Sequence, residues 1–115
     1  MRSCACSFCR AHGARTVTDP RGLVRLRVRN PAELGRYRFG QHTAEFLVCR
    51  SCGVYVAALM ATSDGRLVAT VNVNTLAART RFTREALSVD YEAESAEARR
   101  ARRASRWTPA VWDAE

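Results

Sequence analysis

Residues 54–73, VYVAALMATSDGRLVATVNV, decide the fold class. The first part, 54–60, is apolar and rich in strand-forming residues, and residues 67–73 have the same character. Between them lies the turn signal Ser63-Asp64-Gly65, in which Gly accepts the positive φ that tight hairpin turns require. The sequence therefore predicts a β-hairpin at this point.

Further strands are predicted on the N-terminal side of this hairpin. Residues 23–29 alternate between apolar and basic, which is typical of a half-buried strand. The apolar face would carry Val24, Leu26 and Val28, and the opposite face Arg25, Arg27 and Arg29. Shorter strands are predicted at 16–18 and 45–48, and another around Tyr37 and Phe39. A predominantly β domain is the simplest arrangement of these strands.

Residues 93–107 differ in composition from the rest of the chain. They are rich in Ala, Glu and Arg, and Ser95 is a plausible N-cap for a helix that stops before Pro109. The acidic residues lie near the start and the arginines near the end, which suits the helix dipole. We expect a C-terminal helix at 93–107 whose arginines form a solvated face rather than a nucleic-acid interface.

Length and charge limit the classes of protein that the chain can be. A chain of 115 residues that is 47% hydrophobic predicts a single domain, 1–115. The net charge of +8 comes from 19 basic residues that are all Arg, and Arg has GC-rich codons, so charge alone does not indicate nucleic-acid binding. The longest apolar stretch, 54–61, is too short to span a membrane, and no signal-peptide pattern follows Arg2. We expect a cytoplasmic protein without a membrane partner.

The five cysteines fall into two groups, C-x-C-x-x-C and C-x-x-C. The first group is Cys4, Cys6 and Cys9, and the second is Cys49 and Cys52. The reducing cytosol disfavours disulfides, and closely spaced thiolates need a cation, so zinc binding by all five is the prediction. Either one zinc uses four of them, or an open three-cysteine site coexists with an incomplete second site.

Three segments carry a resemblance to a known family. Residues 4–14, CACSFCRAHGA, resemble the C-x-C-S-x-C-R-x-x-G-A signature of the glutathione-dependent formaldehyde-activating enzyme family, which includes centromere protein V. Residues 49–54, CRSCGV, and 71–76, VNVNTL, resemble later landmarks of that family in the same order. The resemblance covers nearly the whole chain.

This resemblance implies a β-tent fold with two zinc sites. The first three cysteines, Cys4, Cys6 and Cys9, would form an open, catalytic-type site, and the pair Cys49 and Cys52 would be half of a structural site. The other half would be an early C-x-C on a first strand, which has no counterpart before Cys4. We therefore expect the first family strand to be missing from this sequence and the native protein to be longer.

The resemblance also implies a reaction, the joining of formaldehyde and glutathione through a carbon–sulfur bond. The chain would then be a carbon–sulfur lyase whose partners are a low-molecular-weight thiol and an aldehyde. Arg10 and Arg15 are candidate clamps for a carboxylate, and His12 is a candidate hydrogen-bond donor or proton relay. The alternative is a non-catalytic zinc module that binds a protein, a thiol carrier or a nucleic acid.

Overall fold

A computed structural model describes residues 1–38, 41 and 43–113. The strands of the described residues are β1 (Arg2–Cys4), β2 (Thr16–Val17), β3 (Val24–Arg27), β4 (Leu34–Tyr37), β5 (Glu45–Cys49), β6 (Tyr55–Ala61), β7 (Leu67–Asn72), β8 (Leu87–Val89) and β9 (Thr108–Asp113). The helices are α1 (Ser7–His12) and α2 (Ala96–Arg106), with short 3-10 turns at Pro31–Glu33, Val73–Thr75 and Arg79–Arg81. The prediction of a mainly β domain with a C-terminal helix is confirmed. Among the described helices, none has the length and apolar character needed to cross a membrane.

The predicted hairpin is the centre of the sheet. Strands β6 and β7 pair antiparallel, with Ala57 opposite Val71 and Ala61 opposite Leu67. At the turn, the Gly65 N–H donates to the carbonyl of Thr62 over 3.0 Å, and Gly65 has a φ of 84°. A residue with a Cβ would be strained in that conformation, which explains why the turn signal contains Gly.

The remaining strands extend the sheet in the order β4-β5-β6-β7-β2-β1-β8. Neighbours along this path are antiparallel except β1 and β8, which are parallel. Strand β9 pairs with one end of β7 and, in parallel, with β3. Both termini of the described chain are therefore held by the sheet.

The central strands bury both of their faces, which is why residues 54–60 form a continuous apolar run. The core on one face comprises Cys9, Ala14, Ala44, Phe46, Tyr55, Ala58, Met60, Val68 and Trp107. The core on the other face comprises Leu47, Leu59, Ala69 and Ala110. The first core contains a cysteine and lies against α1 and α2, so the candidate site belongs to this face of the sheet.

Several elements differ from the sequence-based expectations. The sequence patterns predict no helix before residue 93, but the structure has α1 at Ser7–His12. This helix ends at Gly13, which is left-handed with a φ of 57°. Pro109 ends α2 as expected, yet it lies within β9, where it is paired with Val68 at the end of the β7–β9 ladder. Strand β4 ends at Tyr37, and Phe39 lies outside the described residues.

Helix α2 spans Ala96–Arg106 rather than the predicted 93–107, and its cap provides a test of the fold. The Ser95 hydroxyl accepts a hydrogen bond from the Ala98 N–H over 3.1 Å. We expect Ser95→Ala to lower the free energy of unfolding by about 1 kcal/mol, measured by urea denaturation, because an orphan N–H at the helix start loses its acceptor. The control is Ser105→Ala, since the Ser105 hydroxyl donates to an Arg102 carbonyl in the last turn and caps no N–H. Equal losses in both variants would contradict the role of Ser95.

Candidate metal centre and the adjoining cavity

Cys4, Cys6 and Cys9 converge where β1 passes into α1. Cys4 is the last residue of β1, Cys6 is the N-cap of α1, and Cys9 lies in its first turns. Cys9 is buried in the core and the other two are half-buried. The three sulfur atoms lie within 4.8 Å of one another. The short helix therefore gathers ligands that are up to five positions apart in the sequence.

This cluster could hold a metal ion. Two thiolates on one tetrahedral zinc lie about 3.8 Å apart, given Zn–S bonds of about 2.3 Å, so the widest sulfur pair needs to close by only about 1 Å. The Cys9 N–H already donates to the Cys6 sulfur over 3.4 Å, a contact that orients a thiolate ligand. The donor set, three soft thiolates, is one that zinc prefers.

The three thiols also interact strongly with one another. Hydrogen bonds from the Cys4 and Cys9 thiols lower the pKa of Cys6 to about 2. The pKa of Cys9 is raised, chiefly by its contact with Cys4. The pKa of Cys4 is also raised, chiefly by its contact with Cys6. A bound cation would be needed for all three to become thiolates together.

Cys49 and Cys52 form a separate pair at the turn between β5 and β6. The Gly53 N–H donates to the Cys49 carbonyl over 2.7 Å, which closes the turn. Hydrogen bonds from backbone N–H groups lower the pKa of the Cys49 thiol, and the bond from Cys52 has a larger effect than the bond from Ser51. Within the described residues, the only group of three or more mutually close ligands is the first cluster, which contains neither of these cysteines. The structure thus separates the five predicted zinc ligands into three and two.

Gly53 provides a test of the Cys49–Cys52 turn. Its φ is 76°, and a Cβ built on it would meet no atom within 4 Å, so only backbone strain opposes substitution. We expect Gly53→Ala to reduce the free energy of unfolding by roughly 1 kcal/mol in chemical denaturation. Gly53→Asn is the matched comparison and should cost less, because Asn tolerates the left-handed region. An Asn variant as unstable as the Ala variant would argue against this explanation.

A cavity of about 440 Å³ adjoins the cysteine cluster. The three cysteines and α1 form part of its lining, and residues of α2 form another part. Its aromatic lining is Phe46, Tyr55, Tyr91 and Trp107. Its charged lining is Arg2, Arg10, Arg99, Arg102, Arg103 and Glu92. With five arginines and one carboxylate, the cavity favours an anionic occupant.

The three sequence candidates for ligand contacts lie in different places. Arg10 lines the cavity, as expected of a clamp beside the cluster. Arg15 does not line it, and its Nε donates to the Asn74 side chain over 2.9 Å. His12 is exposed, and its Nδ1 lies 2.9 Å from the Phe8 carbonyl oxygen. The centroids of the His12 and Phe8 rings are 4.3 Å apart. The structure thus brings only Arg10 of these three to the cavity.

The expectation that the arginines of α2 form a solvated face is wrong for several of them. Arg102 pairs with Glu94 through Nε and Nη2, at 2.9 and 3.0 Å, and lies 3.5 Å above the Tyr91 ring. Arg103 is buried, whereas Arg100 and Arg106 are exposed. Aromatic rings lie against the guanidinium groups of Arg102 and Arg103, and these contacts lower the cost of removing the two groups from water. The i, i+4 spacing of Arg103 and Trp107 is the sequence signal that could have indicated this arrangement.

Tyr55 connects the cluster to the α2 side of the cavity. Its side chain is among the most deeply buried in the described chain, with 1% exposed. Burial, and then the neighbouring thiols of Cys9, Cys6 and Cys4, raise the pKa of Tyr55, while Arg103 opposes that shift. The phenol therefore keeps its proton at neutral pH and lies within electrostatic reach of both groups.

The fold and the site together define a class: a mainly β domain with a three-cysteine candidate metal centre at the wall of a basic cavity. No family model and no curated protein matches the sequence. The crystal structure of a Rhodobacter sphaeroides protein, a Northeast Structural Genomics target, is similar, with 30% sequence identity and a TM-score of 0.55. The match covers 76% of this chain and 79% of that chain. The chain belongs to the same protein family as this Rhodobacter sphaeroides protein.

Proposed function

We propose that the protein is a zinc-dependent carbon–sulfur lyase of the formaldehyde-activating type, acting on the adduct of a small thiol and an aldehyde. The observation that carries the proposal is the position of Cys4, Cys6 and Cys9 at the wall of the cavity. A metal held by three protein ligands keeps a fourth position for an external ligand, and the cavity provides space for one. The resemblance of residues 4–14 to the family signature supports the same reaction class.

The reaction is balanced without any further reagent. The thiol sulfur forms a bond to the aldehyde carbon, the carbon–oxygen π bond breaks, and the proton lost from sulfur ends on the new hydroxyl oxygen. The lyase direction is the reverse. Zinc, when bound, supplies a positive charge that lowers the pKa of a thiol and so favours the thiolate nucleophile.

Residues of the cavity would perform the other tasks. The buried Tyr55 phenol keeps its proton on Oη and can donate a hydrogen bond to the aldehyde or hydroxyl oxygen of the adduct. The apolar walls at Phe46, Ala58 and Trp107 reduce the access of water to that hydrogen bond. Arg10 at the cavity wall would attract an anionic group of the thiol.

The alternative, a non-catalytic zinc module, has less support. A nucleic-acid interface would depend on the arginines of α2, and three of these, Arg99, Arg102 and Arg103, line the cavity. The remaining exposed arginines of that helix include Arg100 and Arg106, which are too few to form a basic stripe. Binding of a protein or a thiol carrier would need an additional surface.

The test is turnover by the zinc-loaded full chain. Exchange between free glutathione and its formaldehyde adduct would be followed by NMR line shapes, with cysteine and mercaptoethanol as further thiols. We expect faster exchange than in buffer for at least one thiol, loss of that acceleration in Cys6→Ser, and its retention in Ser105→Ala. No acceleration with any of these thiols by a protein of verified zinc content would overturn the proposal. Nucleic-acid binding that falls steeply with salt would instead favour the alternative.

A further inference from the structure

Arg103 is a buried cation that forms no ion pair with any residue that the structure describes. Only 9% of it is exposed. Its Nη1 donates to the Thr43 hydroxyl over 2.7 Å, and its guanidinium carbon lies 4.8 Å from the Trp107 ring centroid. Its Nε is buried and finds no hydrogen-bond partner in the part of the chain that the structure describes. Among the described residues, the ion pairs formed by arginines include none that reaches Arg103.

Such a group is costly to keep inside a protein. An unpaired buried charge destabilises the fold unless an opposite charge or several hydrogen bonds compensate it. Burial lowers the pKa of Arg103 to about 10, so the guanidinium still carries its charge at neutral pH. Because the residue lines the cavity, a ligand anion can reach it and provide the compensation.

Arg99 lies one helical turn before Arg103 and lines the same cavity. Its Nη2 donates to the Tyr91 carbonyl over 2.6 Å, which fixes the guanidinium. Its Nε forms an ion pair with a Glu94 carboxylate oxygen over 3.5 Å. Arg99 therefore has a carboxylate partner, whereas Arg103 has none among the described residues.

The cysteine cluster is within reach of the same ligand. Cys4, Cys6 and Cys9 line the cavity together with Arg103. Tyr55 interacts electrostatically with these thiols and with Arg103. A molecule bound in this cavity could therefore face thiols on one side and guanidinium groups on the other.

We propose that Arg103, assisted by Arg99, binds the carboxylate of a small carboxylated thiol whose sulfur is directed to the cysteine cluster. The carboxylate part stands on the buried arginines alone, whereas the thiol part rests on the proposed function. Nη1 of Arg103 donates to Thr43, and the described residues offer no acceptor to the buried Nε on the opposite edge of the guanidinium. Two parallel donors on one edge match the two oxygens of a planar carboxylate.

The ligand requirement is tested by calorimetric titration of the zinc-loaded full chain with four probes. These are mercaptopropionate, mercaptoethanol, propionate and inorganic phosphate. We expect mercaptopropionate to bind about ten- to a hundredfold more tightly than mercaptoethanol, as a charge-assisted hydrogen-bond pair predicts. Equal affinities for these two thiols, or tighter binding of phosphate than of propionate, would overturn the carboxylate assignment.

The residue assignment is tested with Arg103→Met, Arg103→Lys and the matched control Arg100→Met, an exposed arginine of the same helix. Arg103→Met should remove the preference for mercaptopropionate over mercaptoethanol, and Arg103→Lys should restore part of it. Arg100→Met should leave the preference unchanged. Thermal melts identify any variant that does not fold, in which case Arg103→Lys and the comparison of probes on the natural protein still decide.

The two proposals fail in distinguishable ways. Binding of propionate that depends on Arg103 and is as tight as that of mercaptopropionate, with no binding of mercaptoethanol, would keep the carboxylate site and overturn the thiol ligand and the lyase proposal. Thiol binding that depends on Cys6 but shows no preference for a carboxylate would keep the metal site and overturn the role of Arg103. A preference that persists in Arg103→Met would also overturn that role.

Discussion

Removal of the metal from the Cys4–Cys6–Cys9 cluster is expected to lower the melting temperature by about 15 °C. A ligand that binds only the folded state stabilises it by about 4 kcal/mol when its free concentration is a thousand times its dissociation constant. For a domain of this size, each kilocalorie per mole corresponds to about 4 °C. The cluster includes the buried Cys9, so a metal held there would be coupled to the core of the protein. Calorimetric melts before and after treatment with a chelator measure the effect.

Matched variants identify the site responsible. The triple variant Cys4→Ser, Cys6→Ser, Cys9→Ser should melt low and should not respond to the chelator. The double variant Cys49→Ser, Cys52→Ser should still respond, because those two residues lie outside the three-cysteine group. An unchanged melting temperature of the natural protein after verified metal removal would contradict a stabilising metal.

Trp107→Ala is expected to reduce the free energy of unfolding by about 4 kcal/mol, since substitution of a buried aromatic by Ala leaves a cavity. Trp107 is 6% exposed and belongs to the core that also contains Tyr55 and Cys9. Its ring also covers the Arg103 guanidinium, so the substitution exposes a buried charge to a void. Urea denaturation of the natural protein and the variant measures the difference.

Trp112→Ala is the control for this substitution. Trp112 is 36% exposed and lies on β9, with the Arg36 guanidinium 4.9 Å from its ring centroid. We expect it to cost about 1 kcal/mol, which is typical of a surface aromatic with one cation–π contact. Similar losses for the two tryptophans would mean that Trp107 is not part of a packed core.

The elements that sequence patterns predict best are those held by local interactions. The β6–β7 hairpin follows from two apolar runs and Gly65, and α2 from its composition and the Ser95 cap. Both depend on residues that are neighbours in the sequence, where propensity and capping operate. Their bounds shift by a few residues because helix and strand ends depend on tertiary contacts.

The elements that were not predicted depend on distant partners. Strand β8 is three residues long and exists through its pairing with β1, more than 80 positions away. Helix α1 is stabilised by the Cys6 side chain and lies over the core rather than showing a repeating apolar face. No local pattern encodes such contacts, and a proline that ends a helix, such as Pro109, is also tolerated near the start of a strand.

The candidate site was predicted in part. The grouping of Cys4, Cys6 and Cys9 follows from their spacing, because a tight turn brings such residues together. The sequence places Arg99 and Arg103 on a solvated face. In the structure Arg103 lies against the Trp107 ring and Arg99 donates to the Tyr91 carbonyl, and these contacts depend on the three-dimensional arrangement. A run of arginines in a sequence does not distinguish the buried members from the exposed ones.

Zinc content per chain tests the central claim most directly. Elemental analysis would be made on the natural protein, on the triple variant of Cys4, Cys6 and Cys9, and on the double variant of Cys49 and Cys52. We predict that the triple variant loses one zinc per chain relative to the natural protein and that the double variant retains that zinc. A triple variant that binds as much zinc as the natural protein, or a natural protein that binds none after loading, would contradict the assignment of the metal to the three-cysteine cluster.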